Sequence, residues 1–125
     1  MVKKTASLPA LLSFALFLGA CGGPPPMPDM NPQQLRGQRI YTQNCAACHT
    51  LTGNTTIVGP SLAGIWETAG DRVPGLDARE YIVQSILEPG AYINEGFDDL
   101  MPATFAQNLA EEEFDALMAF IELIE

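Results

Sequence analysis

Cys45-Ala46-Ala47-Cys48-His49 places two thiols and an imidazole within five residues. Cys-x-x-Cys-His is the spacing that attaches a c-type haem. Two thiols three positions apart near a helix end can each form a thioether to one vinyl group. The adjacent histidine then lies under the ring, where neutral imidazole is a good iron ligand. His49 is the sole histidine of the chain, and it falls inside the motif. Two other chemistries compete for the same residues. A redox dithiol wants a thioredoxin-like βαβ context, and the sequence shows none. A four-ligand Cys/His zinc site would have to recruit Cys21, far along the chain.

A porphyrin iron held by His49 has one axial position left, and methionine there suits electron transfer. Met1 is the initiator, and Met27 and Met30 sit in a proline-rich stretch. Met118 lies on the apolar stripe of the last helix, where core packing is its expected role. Met101 is followed by Pro102 in a loop, and it is the expected sixth ligand.

The elements that must position these residues begin after a leader. Lys3 and Lys4 precede an apolar run from Leu8 to Ala20, thirteen residues long. Spanning a bilayer takes ~20. A basic start, a short apolar run and small residues before a cut site describe an export signal over residues 1–20. Leu18-Gly19-Ala20-Cys21 resembles a bacterial lipobox, which makes Cys21 the expected lipidated N-terminus. Residues 21–33 then read as a Pro/Gly-rich tether that cannot pack a core. The expectation is an exported protein, held by lipid on the outer, periplasmic face of the cytoplasmic membrane.

The domain, residues 34–125, reads as all-α. A first helix is expected from Gln33 to about Ala46, with Leu35, Ile40, Tyr41 and Cys45 on one face. Gly37 inside it costs ~1 kcal/mol against alanine, which close approach of another helix would explain. A second helix is expected from Ala78 to Leu87, with Asp77 and Glu80 as its capping box and Pro89-Gly90 as its stop. Phe114, Leu117, Met118, Ile121 and Ile124 form the inner stripe of a last helix. Asn108 with Glu111 is its expected capping box. Acidic residues crowd its first turns, where the helix dipole favours negative charge. Two Gly/Pro-rich stretches, 50–75 and 89–103, are long for a small domain unless something organises them.

The chain has 125 residues, room for one small domain. Six Lys and Arg stand against fifteen Asp and Glu, a net charge of −9. Removing residues 1–20 leaves four arginines against the same fifteen carboxylates, or −11. That balance excludes a nucleic-acid partner, since phosphate contacts need clustered Lys and Arg. Three cysteines cannot build a multi-disulfide scaffold.

From about Leu35 to Glu125 the sequence resembles a class I monohaem cytochrome c, in a membrane-anchored lipoprotein form. Gly37, Tyr41 and the Cys45–His49 motif resemble that family's first helix and haem attachment. Gly59-Pro60-Ser61-Leu62-Ala63-Gly64, Tyr81-Ile82 with Pro89, and Gly96-Phe97 leading to Met101-Pro102 are similar to its later segments. The resemblance implies a cytochrome c fold: three to four helices wrapped around one covalent haem, the first and last crossing. It implies that Gly37 faces Phe114, Leu117 or Ile121 at the crossing. It implies that Pro60 offers its carbonyl to the His49 ring, which would set the tautomer. Trp66 and Arg72 are implied as propionate contacts, and Tyr92 or Asn94 as a neighbour of the methionine sulfur. The lysine-rich face of many family members is missing here.

The expected function is electron transfer, cycling Fe(III)/Fe(II) with His49 and Met101 as metal ligands. The expected partners are redox proteins of respiratory or photosynthetic membrane complexes, with no small-molecule substrate. A fixed monohaem subunit of a quinol-oxidising complex or terminal oxidase is the alternative. A haem enzyme or gas sensor with a labile methionine is the third reading.

Overall fold

The structure is a computed structural model that describes residues 29–125. The export signal, Cys21 and tether residues 21–28 lie outside the described residues. Among the described residues there are four α-helices, three 3₁₀ turns and no strand. None of these helices is long and apolar enough to cross a membrane.

Helix α1 spans Pro32–Asn44. Asn31 caps it: its side chain accepts from the Gln34 N–H at 3.0 Å, and the Gln34 side chain accepts from the Asn31 N–H at 2.9 Å. Pro32 opens the first turn, where a missing N–H costs nothing. The helix therefore includes Pro32 and Gln33, the last two residues expected in the tether. It ends before the expected Ala46, because Cys45 is already its C-cap. Leu35 is 40% exposed, so it does not belong to the inner face. The buried stripe of α1 is Gly37, Ile40 and Tyr41.

Helix α2 is the single turn Ile65–Thr68, inside a stretch expected to be irregular. Helix α3 spans Ala78–Leu87 with the expected Asp77–Glu80 capping box: Asp77 accepts from the Glu80 N–H at 2.8 Å, and Glu80 accepts in return at 2.9 Å. Helix α4 spans Glu111–Ile121. The expected Asn108–Glu111 box is not formed. Asn108 ends a 3₁₀ turn and donates its amide to the Thr104 carbonyl at 2.9 Å. The N-cap is Ala110, whose side chain can accept nothing, and Glu113 reaches back to the Ala110 N–H at 3.2 Å.

Helices α1 and α4 pack directly against each other. A β-carbon on Gly37 would stand 1.9 Å from the Ala116 carbonyl oxygen and 2.7 Å from Phe120 Cβ. The partners of Gly37 are thus Ala116 and Phe120, rather than Phe114, Leu117 or Ile121. Tyr41 extends the contact, its ring 5.6 Å from that of Phe120. Residues 116 and 120 stand one turn apart on α4 and share a stripe. Leu117 and Ile121 form the next stripe, which turns to a cavity beneath the crossing. Met118 is fully buried in the core. Two exposed ion pairs, Arg36–Glu113 at 3.3 Å and Arg79–Glu122 at 3.4 Å, tie the helical side together. Each contributes ~0–1 kcal/mol at such exposure.

Candidate cofactor site

The last turn of α1 presents the chemistry. Cys45 N–H donates to the Tyr41 carbonyl at 2.7 Å, closing the helix. The Cys48 and His49 N–H groups then both donate to the Cys45 carbonyl, at 3.0 and 2.9 Å. This tight turn brings both thiols and the imidazole to one wall of the cavity. Tyr41 Oη donates to the His49 carbonyl at 2.6 Å and holds the turn from beneath.

The following loop is strapped back onto that turn. Gly59 N–H donates to the Cys48 carbonyl at 2.8 Å, and Leu62 N–H to the Thr50 carbonyl at 2.8 Å. The result places Gly59 and Pro60 against the imidazole. A β-carbon on Gly59 would stand 2.5 Å from His49 Cε1, so the ring lies against a bare Cα. His49 Nδ1 is 2.8 Å from the Pro60 carbonyl oxygen. A carbonyl only accepts, so Nδ1 carries the proton and Nε2 keeps a free lone pair. That is the ligating tautomer, fixed by its neighbour.

Burial, with the Cys48 thiol beside it, pushes the Cys45 thiol up to about 11. Burial, and then Cys45, also raises the Tyr41 phenol.

The cavity has a volume of about 330 Å³. Cys45, Cys48, His49, Pro60 and Met101 all line it, although Met101 follows His49 by 52 residues. Met101 is half-buried, in the segment between α3 and α4. Trp66 and Arg72 are not among the residues that line the cavity. Trp66 packs against the core, and Arg72 donates to the Asn94 side chain. Because a guanidinium only donates, that bond takes Asn94 Oδ1 and leaves Nδ2 to donate to Tyr81 Oη at 3.3 Å. Tyr92 stacks edge-on against Tyr81 at 5.9 Å. Both expected sulfur neighbours, Tyr92 and Asn94, do line the cavity.

Tyr41 and Phe97, which belong to the segments quoted for the family resemblance, line the cavity, and so does Phe105, which the sequence did not single out. Tyr41 lies four residues before Cys45, on the same helix face, and Phe97 four before Met101; Phe105 carried no such signal.

Residues 23–121 match the family described as cytochrome c oxidase, cbb3-type, subunit III. The chain belongs to that cytochrome c family. It is also similar to cytochrome c type-1 of Ascaris suum, 30% identical over 69 residues, and to cytochrome c 2.1 of Caenorhabditis briggsae, 29% identical over 70. Each alignment covers 46% of this chain and 62% of the relative, so the chain spans under two thirds of the relatives' length. The cofactor of this cytochrome c is haem c, attached covalently. The residues present fit it: two thiols and an imidazole share one wall of an apolar cavity, and His49 has its second nitrogen free.

Proposed function

We propose that this cytochrome c is an electron-transfer protein that holds its haem iron between His49 and Met101. One cavity, lined jointly by Cys45, Cys48, His49 and Met101, carries the reading. When bound, haem c supplies an iron that gains or loses one electron. The chain's own residues do the rest. Cys45 and Cys48 hold the group by two thioethers. His49 presents Nε2, with Nδ1 engaged by Pro60. Met101 would offer a thioether from the segment between α3 and α4, and methionine ligation raises the reduction potential. Leu117, Ile121, Ile82 and Ile86 exclude water. With His49 and Met101 both holding it, the iron would have no open site for a small-molecule substrate.

The leader supports an exported protein lipidated at Cys21 and tethered to the outer face of the cytoplasmic membrane. Two or more acyl chains hold firmly. Confinement near a membrane raises the effective concentration of membrane partners. The printed description of the family supports a second reading, a fixed monohaem subunit of a larger membrane oxidase. Gentle solubilisation followed by native sizing separates the two: a mobile carrier migrates alone, a subunit with the assembly.

The deciding experiment is a visible spectrum of the purified protein, oxidised and reduced, with a pyridine haemochrome. One haem per chain, a methionine-to-iron charge-transfer band when oxidised, and slow carbon monoxide binding when reduced are expected. A five-coordinate spectrum with rapid carbon monoxide binding would instead indicate a haem enzyme or sensor.

A further inference from the structure

Two loops contribute to the walls of the cavity, residues 50–64 and residues 89–105, and their surface chemistry differs from that of the helical side. Residues 50–64 carry no charged side chain. Ile57 is 54% exposed there without lining the cavity, and Val58 beside it is also exposed. Residues 89–105 carry Glu95, Asp98 and Asp99, all exposed, and no basic residue. Leu100, next to the acidic pair, is 64% exposed, the highest value among the large apolar side chains of the described residues.

Of the four arginines only Arg72 stands against this loop, and it offsets one of the three carboxylates. Arg36 pairs with Glu113 and Arg79 with Glu122, both on the helical side. Arg72 is engaged by Asn94, and Arg39 sits on α1. The loops around the cavity thus combine an uncharged half, where Ile57 and Val58 are exposed, with an acidic half whose three carboxylates outnumber the single cation beside it, Arg72. Isolated exposed apolar residues are ordinary, but an apolar patch rimmed by one sign of charge marks a docking surface.

We propose that this face docks a redox protein whose own contact surface is apolar at its centre and rich in Lys and Arg at its rim. The proposal rests on the electron-transfer reading and names the partner class for that site. Ile57, Val58 and Leu100 supply the apolar contact. Glu95, Asp98 and Asp99 set the sign and steer the approach. Steering by such a face accelerates association and fades as salt shortens the reach of the charges.

The test uses the reduced, haem-loaded full chain and two one-electron oxidants. The cation tris(phenanthroline)cobalt(III) becomes cobalt(II) on taking the electron, and the anion hexacyanoferrate(III) becomes hexacyanoferrate(II). A lysine-rich cytochrome c in its oxidised form serves as the protein acceptor. Asp98→Lys with Asp99→Lys should slow oxidation by the cobalt complex and by the basic protein about tenfold at low salt, and speed oxidation by hexacyanoferrate. Glu111→Lys with Glu112→Lys changes the net charge equally on the first turn of α4, and should alter these rates less than about twofold. Equal slowing by both pairs would overturn the proposal, because total charge rather than this face would then govern. So would a wild-type preference for the anionic oxidant. If neither small oxidant takes an electron from the wild-type chain, the electron-transfer reading itself fails. An unchanged reduced spectrum in each variant shows that the haem pocket is intact.

Discussion

The α-carbon of Gly37 lies so close to the Ala116 carbonyl that a β-carbon there would fall 1.9 Å from the oxygen. The obstacle is backbone, which cannot rotate away. Gly37→Ala must therefore push α1 off α4, and it should destabilise the haem-loaded protein by ~2 kcal/mol or more. Urea unfolding with an unchanged m-value would measure this. A loss under ~0.5 kcal/mol, the range of an ordinary surface substitution, would show that the helices can separate freely.

Gly59 holds the imidazole in the same way, with a β-carbon predicted 2.5 Å from His49 Cε1. Gly59→Ala should displace the ring and lengthen its bond to the Pro60 carbonyl, costing ~1–3 kcal/mol. The visible spectrum should shift along with the stability. A stability loss with an unaltered spectrum would mean that the clash is relieved by the loop alone.

Met101→Ala should keep the covalent haem, lower the reduction potential, and let the reduced protein bind carbon monoxide rapidly. Potentiometry and carbon monoxide mixing read both effects. An unchanged oxidised spectrum would reject Met101 as the ligand.

Asn94 joins the cavity loop to Arg72 and to Tyr81. Asn94→Leu should strand both partners and cost ~1–3 kcal/mol. Asn94→Asp keeps an acceptor for Arg72 and should cost less. Thermal unfolding of the two variants would order them, and equal losses would show that the Arg72 bond contributes little.

Cys21→Ala should leave the precursor unlipidated and uncut at this position. Mass spectrometry of the membrane fraction decides, and a normally processed, lipidated product would remove the anchor.

The residue order alone determined the cofactor chemistry, since five contiguous positions supply both thiols and the imidazole and need no fold to be recognised. It also determined the Asp77–Glu80 cap and the apolar stripe of α4, both of which are local patterns. Resemblance to the family supplied the Pro60 carbonyl facing His49, which spacing could not. Only the tertiary structure decided which stripe of α4 meets which neighbour. Phe114, Leu117 and Ile121 were as plausible opposite Gly37 as Ala116 and Phe120, because a helix with apolar residues around more than half its girth has no unique inner side. The places of Trp66, packed on the core, and Arg72, bonded to Asn94, likewise depend on where a four-residue helix and a 3₁₀ turn carry the chain. The cap of α4 also depends on the fold: Asn108 ends a 3₁₀ turn, and the chain runs on through Leu109 so that Ala110 stands at the N-cap.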